Sequence, residues 1–160
     1  MTHENDLTAS VKKKKVLIVE RETEIRDLLR ITLECGGIEN LIILSRGQAA
    51  MRTALRERPD LILTGVDLSD EMDGFDLTRE IKLRKDFRGI VLILSANTQK
   101  RDIENGLAAG ADAYLTKPFS PNELLETVLS MLKRPHTNAM FPAISMHRGE
   151  TIHEQPNISV

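Results

Sequence analysis

The sequence predicts a doubly wound α/β fold, in which a five-stranded parallel sheet is covered on both faces by five helices. Three observations carry this reading. Five short apolar runs recur along the chain, segments with apolar residues at helical spacing alternate with them, and the 160 residues, 41% hydrophobic and 29% charged, suffice for one ordinary globular core. Continuous rather than alternating apolarity marks a strand buried on both faces, because both sets of side chains meet helices.

The strands are 16–19, 41–44, 61–63, 90–94 and the shorter 113–115. After the first of them, Ile25, Leu28, Leu29 and Leu33 stand at helical spacing and stop at Gly36-Gly37, a natural terminator. Ala49, Ala50, Ala54 and Leu55 give a second helix closing at Pro59, and Phe75, Leu77, Ile81 and Leu83 give a third. The fourth has a narrow stripe of Ile103, Leu107 and Ala108, with Asn97 able to cap it and Gly110 to end it. The fifth opens on Ser120-Pro121-Asn122-Glu123, where Ser accepts from first-turn amides, Pro sits at the first helical position and Glu reaches back. Its apolar face is Leu124, Leu125, Val128, Leu129 and Leu132. One domain is thus expected over 14–134, preceded by a flexible segment, 1–13. It is followed by a tail, 135–160, that contains Pro135, Pro142 and Pro156 and has no sustained period.

Charge and composition exclude several functions. Residues 12–134 hold 21 Lys and Arg against 20 Asp and Glu, without the dense basic character that nucleic-acid binding favours. The apolar runs are far too short to span a membrane, and the polar N-terminus lacks a secretory pattern. Cys35 is the single cysteine, so no internal disulfide forms, and the expected address is cytoplasmic. Its place beside Gly36-Gly37 suits a small apolar helix-end residue. His3, His136, His147 and His153 all lie outside 14–134, which removes histidine catalysis from the core. No zinc spacing and no Gly-rich phosphate loop occurs, so an enzyme is not expected. Lys12 to Lys15 reads as a solvated run before a sheet edge.

In open parallel sheets chemistry gathers at the carboxyl ends of the strands. Those positions hold Glu20, Arg21 and Glu22, then Thr64, Gly65, Val66 and Asp67, then Ser95 and Ala96, then Thr116 and Lys117. Carboxylates, a hydroxyl and a lysine could converge there.

The segments Val16-Leu-Ile-Val-Glu20, Pro59-Asp-Leu-Ile-Leu63, Met72-Asp-Gly-Phe75, Leu94-Ser-Ala96 and Gly110-Ala-Asp-Ala-Tyr-Leu-Thr-Lys-Pro-Phe119 stand in this order. Together they resemble the receiver domain of two-component response regulators, from about Lys14 to Arg134. The resemblance implies a flavodoxin-like sheet of order 2-1-3-4-5. It also implies phosphoryl transfer from a histidine kinase to an aspartate after strand three, with Mg2+ held by neighbouring acids. By position Lys117 is the family's lysine, Ser95 its switch hydroxyl and Tyr114 its switch aromatic.

Two departures fall at the phosphorylation site. Counted from Pro59, the acceptor position is Gly65, which has no carboxylate to form an acyl phosphate. The acidic pair after strand one becomes Glu20-Arg21, placing a permanent cation where a metal-facing acid is usual. The acidic pocket is then Glu20, Arg21 and Asp67, with Arg21 and Lys117 expected to neutralise the two acids in place of a metal. No cofactor is expected. Asp67 stays open as an alternative acceptor, because two residues beyond Gly65 it would share a side of an extended strand. Glu20 and Asp67 would then be the ligands of any Mg2+. Asp70, Glu71, Asp73 and Asp76 read as a solvated loop with helix N-terminal charge.

The expected function is a stand-alone, degenerate receiver acting through protein–protein interaction. Its partners would be a histidine kinase, a downstream target or a second copy, met through helix four, strand five and helix five. Helix four, the weakest, is the expected bistable element. A functioning acceptor at Asp67 is the first alternative; a nucleotide or flavin binder on a similar fold is the second.

Overall fold

The structure is a computed structural model and describes residues 9–97, 99–133, 144–147 and 150–152. Five parallel strands run β1 (Lys15–Val19), β2 (Asn40–Leu44), β3 (Leu61–Gly65), β4 (Ile90–Ser95) and β5 (Ala113–Thr116). The helices between and after them are α1 (Thr23–Cys35), α2 (Gly47–Glu57), α3 (Gly74–Lys82), α4 (Lys100–Ala108) and α5 (Pro121–Leu132). Their sheet order, β2-β1-β3-β4-β5, is the expected one.

Alternation along each strand divides the core in two. Val16 and Ile18 join Leu61, Leu63, Leu92 and Leu94 on the face covered by α1 and α5. Leu17 and Val19 join Ile62, Val91 and Ile93 on the face covered by α2, α3 and α4. Every residue of β3 is buried, and at roughly 1.5–3 kcal/mol per large apolar side chain this central strand anchors both layers. The capping box read at Ser120 forms as expected, with Ser120 Oγ accepting from Glu123 N at 3.1 Å and Glu123 Oε2 accepting from Ser120 N at 2.9 Å. Gly37 and Gly110 take the left-handed region at φ 90° and 104°, which is why the chain can turn back after α1 and α4.

Several expectations need correction. Leu83 is 77% exposed and lies outside the buried face of α3, because the helix ends at Lys82. Asn97 does not cap α4; Gln99 holds that position without a side-chain cap bond, and the buried stripe is Ile103 with Gly106, leaving Ala108 exposed. Lys15 does not precede an edge, since β1 lies between β2 and β3; it pairs with Glu57 at 3.0 Å, and Lys14 reaches Asp60 at 3.9 Å. The N-terminal segment is anchored over its last residues, where a helical turn at 9–12 buries Val11 in the α1/α5 cluster. Cys35 is exposed at the end of its helix. Within 135–160, the chain forms β6 (Ile144–His147), parallel to the outer edge of β5, and β7 (Glu150–Ile152), antiparallel to β6. The open edge of β5 offers unpaired backbone groups that a short strand can meet without any apolar period of its own. The rest of the tail, including the apolar stretch at 140–143, falls outside the described residues.

The acidic cluster is more than solvated charge. Asp73 and Asp76 form a capping box at the start of α3, and the Asp70 carboxylate accepts from Gly47 N and Gln48 N at 2.8 and 3.0 Å, capping α2 from across the loop.

Arg58 ends α2 at φ 48° and ψ 62°, the single described non-glycine residue with positive φ. The following Pro59 disfavours a further α-helical residue, so the chain leaves the helix through the left-handed region. An L side chain there costs on the order of 1 kcal/mol relative to glycine. Arg58→Gly is therefore expected to raise stability by about 0.5–1 kcal/mol, read as a higher urea midpoint with an unchanged m-value.

Candidate functional site

The carboxyl ends of β1, β3, β4 and β5 meet around one buried ion pair. Glu20 directly follows β1 and is 2% exposed; its Oε2 accepts from Lys117 Nζ at 3.2 Å, and its Oε1 accepts from Glu22 N at 3.2 Å. Arg26 holds the loop that carries Glu20, its Nη1 donating to the carbonyls of Glu20 and Arg21 at 2.8 Å each and its Nη2 to Thr23 Oγ1 at 3.0 Å. Lys117 follows β5, its N–H donating to the Ser95 carbonyl at 2.7 Å and its bond to Pro118 being cis.

Gly65 is the last residue of β3, beside this pair. A Cβ placed on it would stand 2.5 Å from Glu20 Oε2 and 3.3 Å from Glu20 Cδ. Such a contact is far inside van der Waals range. The Glu20 carboxylate thus fills the volume in which a side chain at position 65 would begin. Glutamate is long enough to reach over the strand end, and glycine leaves room for it.

Ser95 and Tyr114 form an adjoining set. Ser95 Oγ accepts from Asn97 N at 3.0 Å, and the Tyr114 hydroxyl donates to the Asn97 carbonyl at 3.1 Å. The tyrosine ring is fully buried and lies so close to Gly106 of α4 that a Cβ there would meet it at 2.9 Å. Burial pushes the phenol above its ordinary pKa; a hydrogen bond with Ser95 opposes this, and the Asp102 carboxylate adds to it. Through the Ser95 carbonyl this set is tied to Lys117.

Two of the pocket residues read from sequence stand apart. The Arg21 side chain is exposed and makes no ion pair among the described residues, so Lys117 alone pairs with Glu20. The loop fixed by Arg26 turns residue 21 outward. Asp67 is also exposed: β3 ends at Gly65, residues 66 and 67 lie in a bend, and the Val66 carbonyl accepts from Gly74 N at 2.8 Å. The extended strand that would have aimed Asp67 alongside position 65 is therefore absent. Sequence reasoning missed Arg26 and the reach of Glu20 into the glycine's place. A pairing of the longer acid with the smallest residue was the available signal.

These residues do not fit a divalent cation. Gly65 supplies no ligand, one oxygen of Glu20 faces an ammonium, and among the described residues no group of three or more His, Cys, Asp or Glu could hold a metal. Among the same residues, no helix is long and apolar enough to cross a membrane.

Comparison with known proteins bears on the whole domain. Residues 16–129 match the model of the response regulator receiver domain. The chain is 36% identical over 137 residues to the alkaline phosphatase synthesis transcriptional regulatory protein PhoP of Bacillus subtilis, covering 86% of this chain and 55% of that protein. It is 37% identical over 123 residues to the DNA-binding response regulator MtrA of Mycolicibacterium paratuberculosis, covering 76% and 52%. The chain spans about half the length of these curated relatives. Among solved structures, the chemotaxis response regulator CheY4 of Vibrio cholerae matches with a TM-score of 0.68 at 29% identity, over 74% of this chain and 98% of that one. A response regulator structure from Chloroflexus aurantiacus matches with a TM-score of 0.71 at 27% identity, over 76% and 98%. With its sheet order, its lysine after β5 and a family match over most of its length, the chain belongs to the response regulator receiver domains of two-component signalling.

Proposed function

We propose that this receiver signals by binding other proteins and does not accept a phosphoryl group at position 65. The observation that carries this reading is the Glu20 carboxylate lying in the space of the missing side chain, already neutralised by Lys117. Acyl phosphate formation needs a carboxylate nucleophile, charge compensation for the phosphoryl oxygens and room for them. Position 65 lacks the first, and Glu20 has taken the other two. A second anion ~4 Å from Glu20 would meet a repulsion of about 4 kcal/mol at an effective dielectric of 20. Mg2+, the usual remedy, finds no adequate ligand set here.

The binding surface in this reading is formed by α4, β5 and α5, and its partners are a histidine kinase, a downstream target or a second copy of the chain. Because β6 pairs along the outer edge of β5, a partner meets helices and the added strands there rather than a bare strand edge. Helix α4 has a short buried stripe and no side-chain cap, which makes it the element most easily shifted by a partner. Phosphorylation at the exposed Asp67 is the competing reading, which the first test below separates.

Incubation with acetyl phosphate and millimolar Mg2+ is expected to leave the intact mass unchanged; a phosphoryl adduct mapped to Asp67 would overturn the proposal. Magnesium alone is expected to leave Tm unmoved, whereas a site filled at 100 times its Kd would add about 2.7 kcal/mol. Gly65→Ala should cost no more than about 1 kcal/mol, because the atom in its way is the movable end of the Glu20 side chain and alanine is favoured over glycine within a strand by about 0.5–1 kcal/mol. Gly65→Asp should cost more, with Glu20→Asp in the same chain recovering part of the loss by shortening the intruding acid. Urea unfolding of the three variants measures this order, and a Gly65→Asp variant as stable as the parent contradicts it.

A further inference from the structure

At the opposite end of the sheet, the amino ends of β3 and β4 border a cleft of about 470 Å³ between the close of α2 and the α3–β4 loop. It is lined by Arg58, Lys85 and Arg88 together with Asp60, Asp86 and Phe87. The two acids are already engaged. Asp60 accepts from Lys15 N at 2.8 Å and lies 3.9 Å from Lys14 Nζ, and Asp86 lies 3.6 Å from Arg84 Nε. Arg58, Lys85 and Arg88 are exposed and make no ion pair among the described residues. Three uncompensated cations therefore surround one recess, although residues 12–134 are close to neutral in total.

The recess is not uniformly polar. Pro59 is buried, and Phe87 is half-buried, its ring so close to Gly89 that a Cβ there would meet it at 2.6 Å. An apolar wall with a cationic rim selects an apolar group flanked by anions. Arg58 adds a separate argument, since an arginine held at φ 48° where glycine would be cheaper points to a use for its side chain.

We propose that this cleft docks an acidic peptide segment of a partner protein, with an apolar side chain seated against Phe87 and carboxylates on Arg58, Lys85 and Arg88. A nucleic-acid backbone fits less well: Asp60 and Asp86 interrupt the cations, and a recess of this size accepts a side chain rather than a track of phosphates. The site is separate from position 65 and does not depend on whether that position is chemically silent.

Fluorescence anisotropy with a fluorescein-labelled peptide of sequence DELFDE tests it on the full chain. Saturable binding that weakens as salt rises is expected, with at least a tenfold loss in the Arg58→Gly/Lys85→Ser/Arg88→Ser variant and none in Arg30→Ser on α1. The Lys85→Ser/Arg88→Ser variant, altered only at exposed loop positions, should lose several-fold affinity and guards against misfolding of the triple variant. The neutral peptide NQLFQN should not bind. Absence of binding by the parent chain, equal binding by the triple variant, or equal binding of the neutral peptide would overturn the proposal. So would tighter binding of duplex DNA or phosphatidylserine vesicles through the same three cations.

Discussion

The ion pair between Glu20 and Lys117 constrains most of what this domain can do. It joins the ends of β1 and β5 across the ends of β3 and β4, which lie between them in the sheet, and it passes over β3 because Gly65 presents no side chain there. A charge that is 2% exposed is tolerable only with a partner and hydrogen bonds, and Glu20 has both, from the Lys117 ammonium and the Glu22 amide. The glycine, the longer acid and the lysine are therefore one unit. Altering any of them changes the demands on the other two.

The strand ends also differ in charge. The carboxyl ends gather Glu20, Glu22 and Asp67, with Asp70, Asp73 and Asp76 close by in the chain, and all of the last three are used at helix N-termini. The amino ends gather Lys14, Lys15, Arg58, Lys85 and Arg88. Each end also holds the opposite sign, Arg21 and Lys117 at the carboxyl ends and Glu57, Asp60 and Asp86 at the amino ends, so what sets the amino end apart is the group of cations without an ion pair among the described residues, Arg58, Lys85 and Arg88.

Much of the fold was legible in the sequence for a specific reason. Strands buried on both faces need unbroken apolar runs such as 61–63, and the helices repeat their apolar residues every three or four positions, so the α/β alternation is written locally. The Ser120–Glu123 box is equally local and was readable in full. What escaped depends on distant residues. Asp70 caps α2 from 22 and 23 residues away, β6 finds its place only because β5 leaves an edge open, and the outward turn of Arg21 is set by the guanidinium of Arg26. At the site, the lysine and the lost acceptor could be placed by counting along the chain. The filling of the vacant volume by Glu20 could not, since it follows from side-chain reach across two strands.

A double-mutant cycle between Glu20 and Lys117 measures the central interaction most directly. With Glu20→Gln, Lys117→Met and the double variant compared in urea unfolding, a coupling energy of about 1–3 kcal/mol is expected, because each single change strands its partner in a largely buried setting. Additive effects, with coupling below about 0.3 kcal/mol, would show that the two groups do not hold the strand ends together and that position 65 is not closed by their pairing.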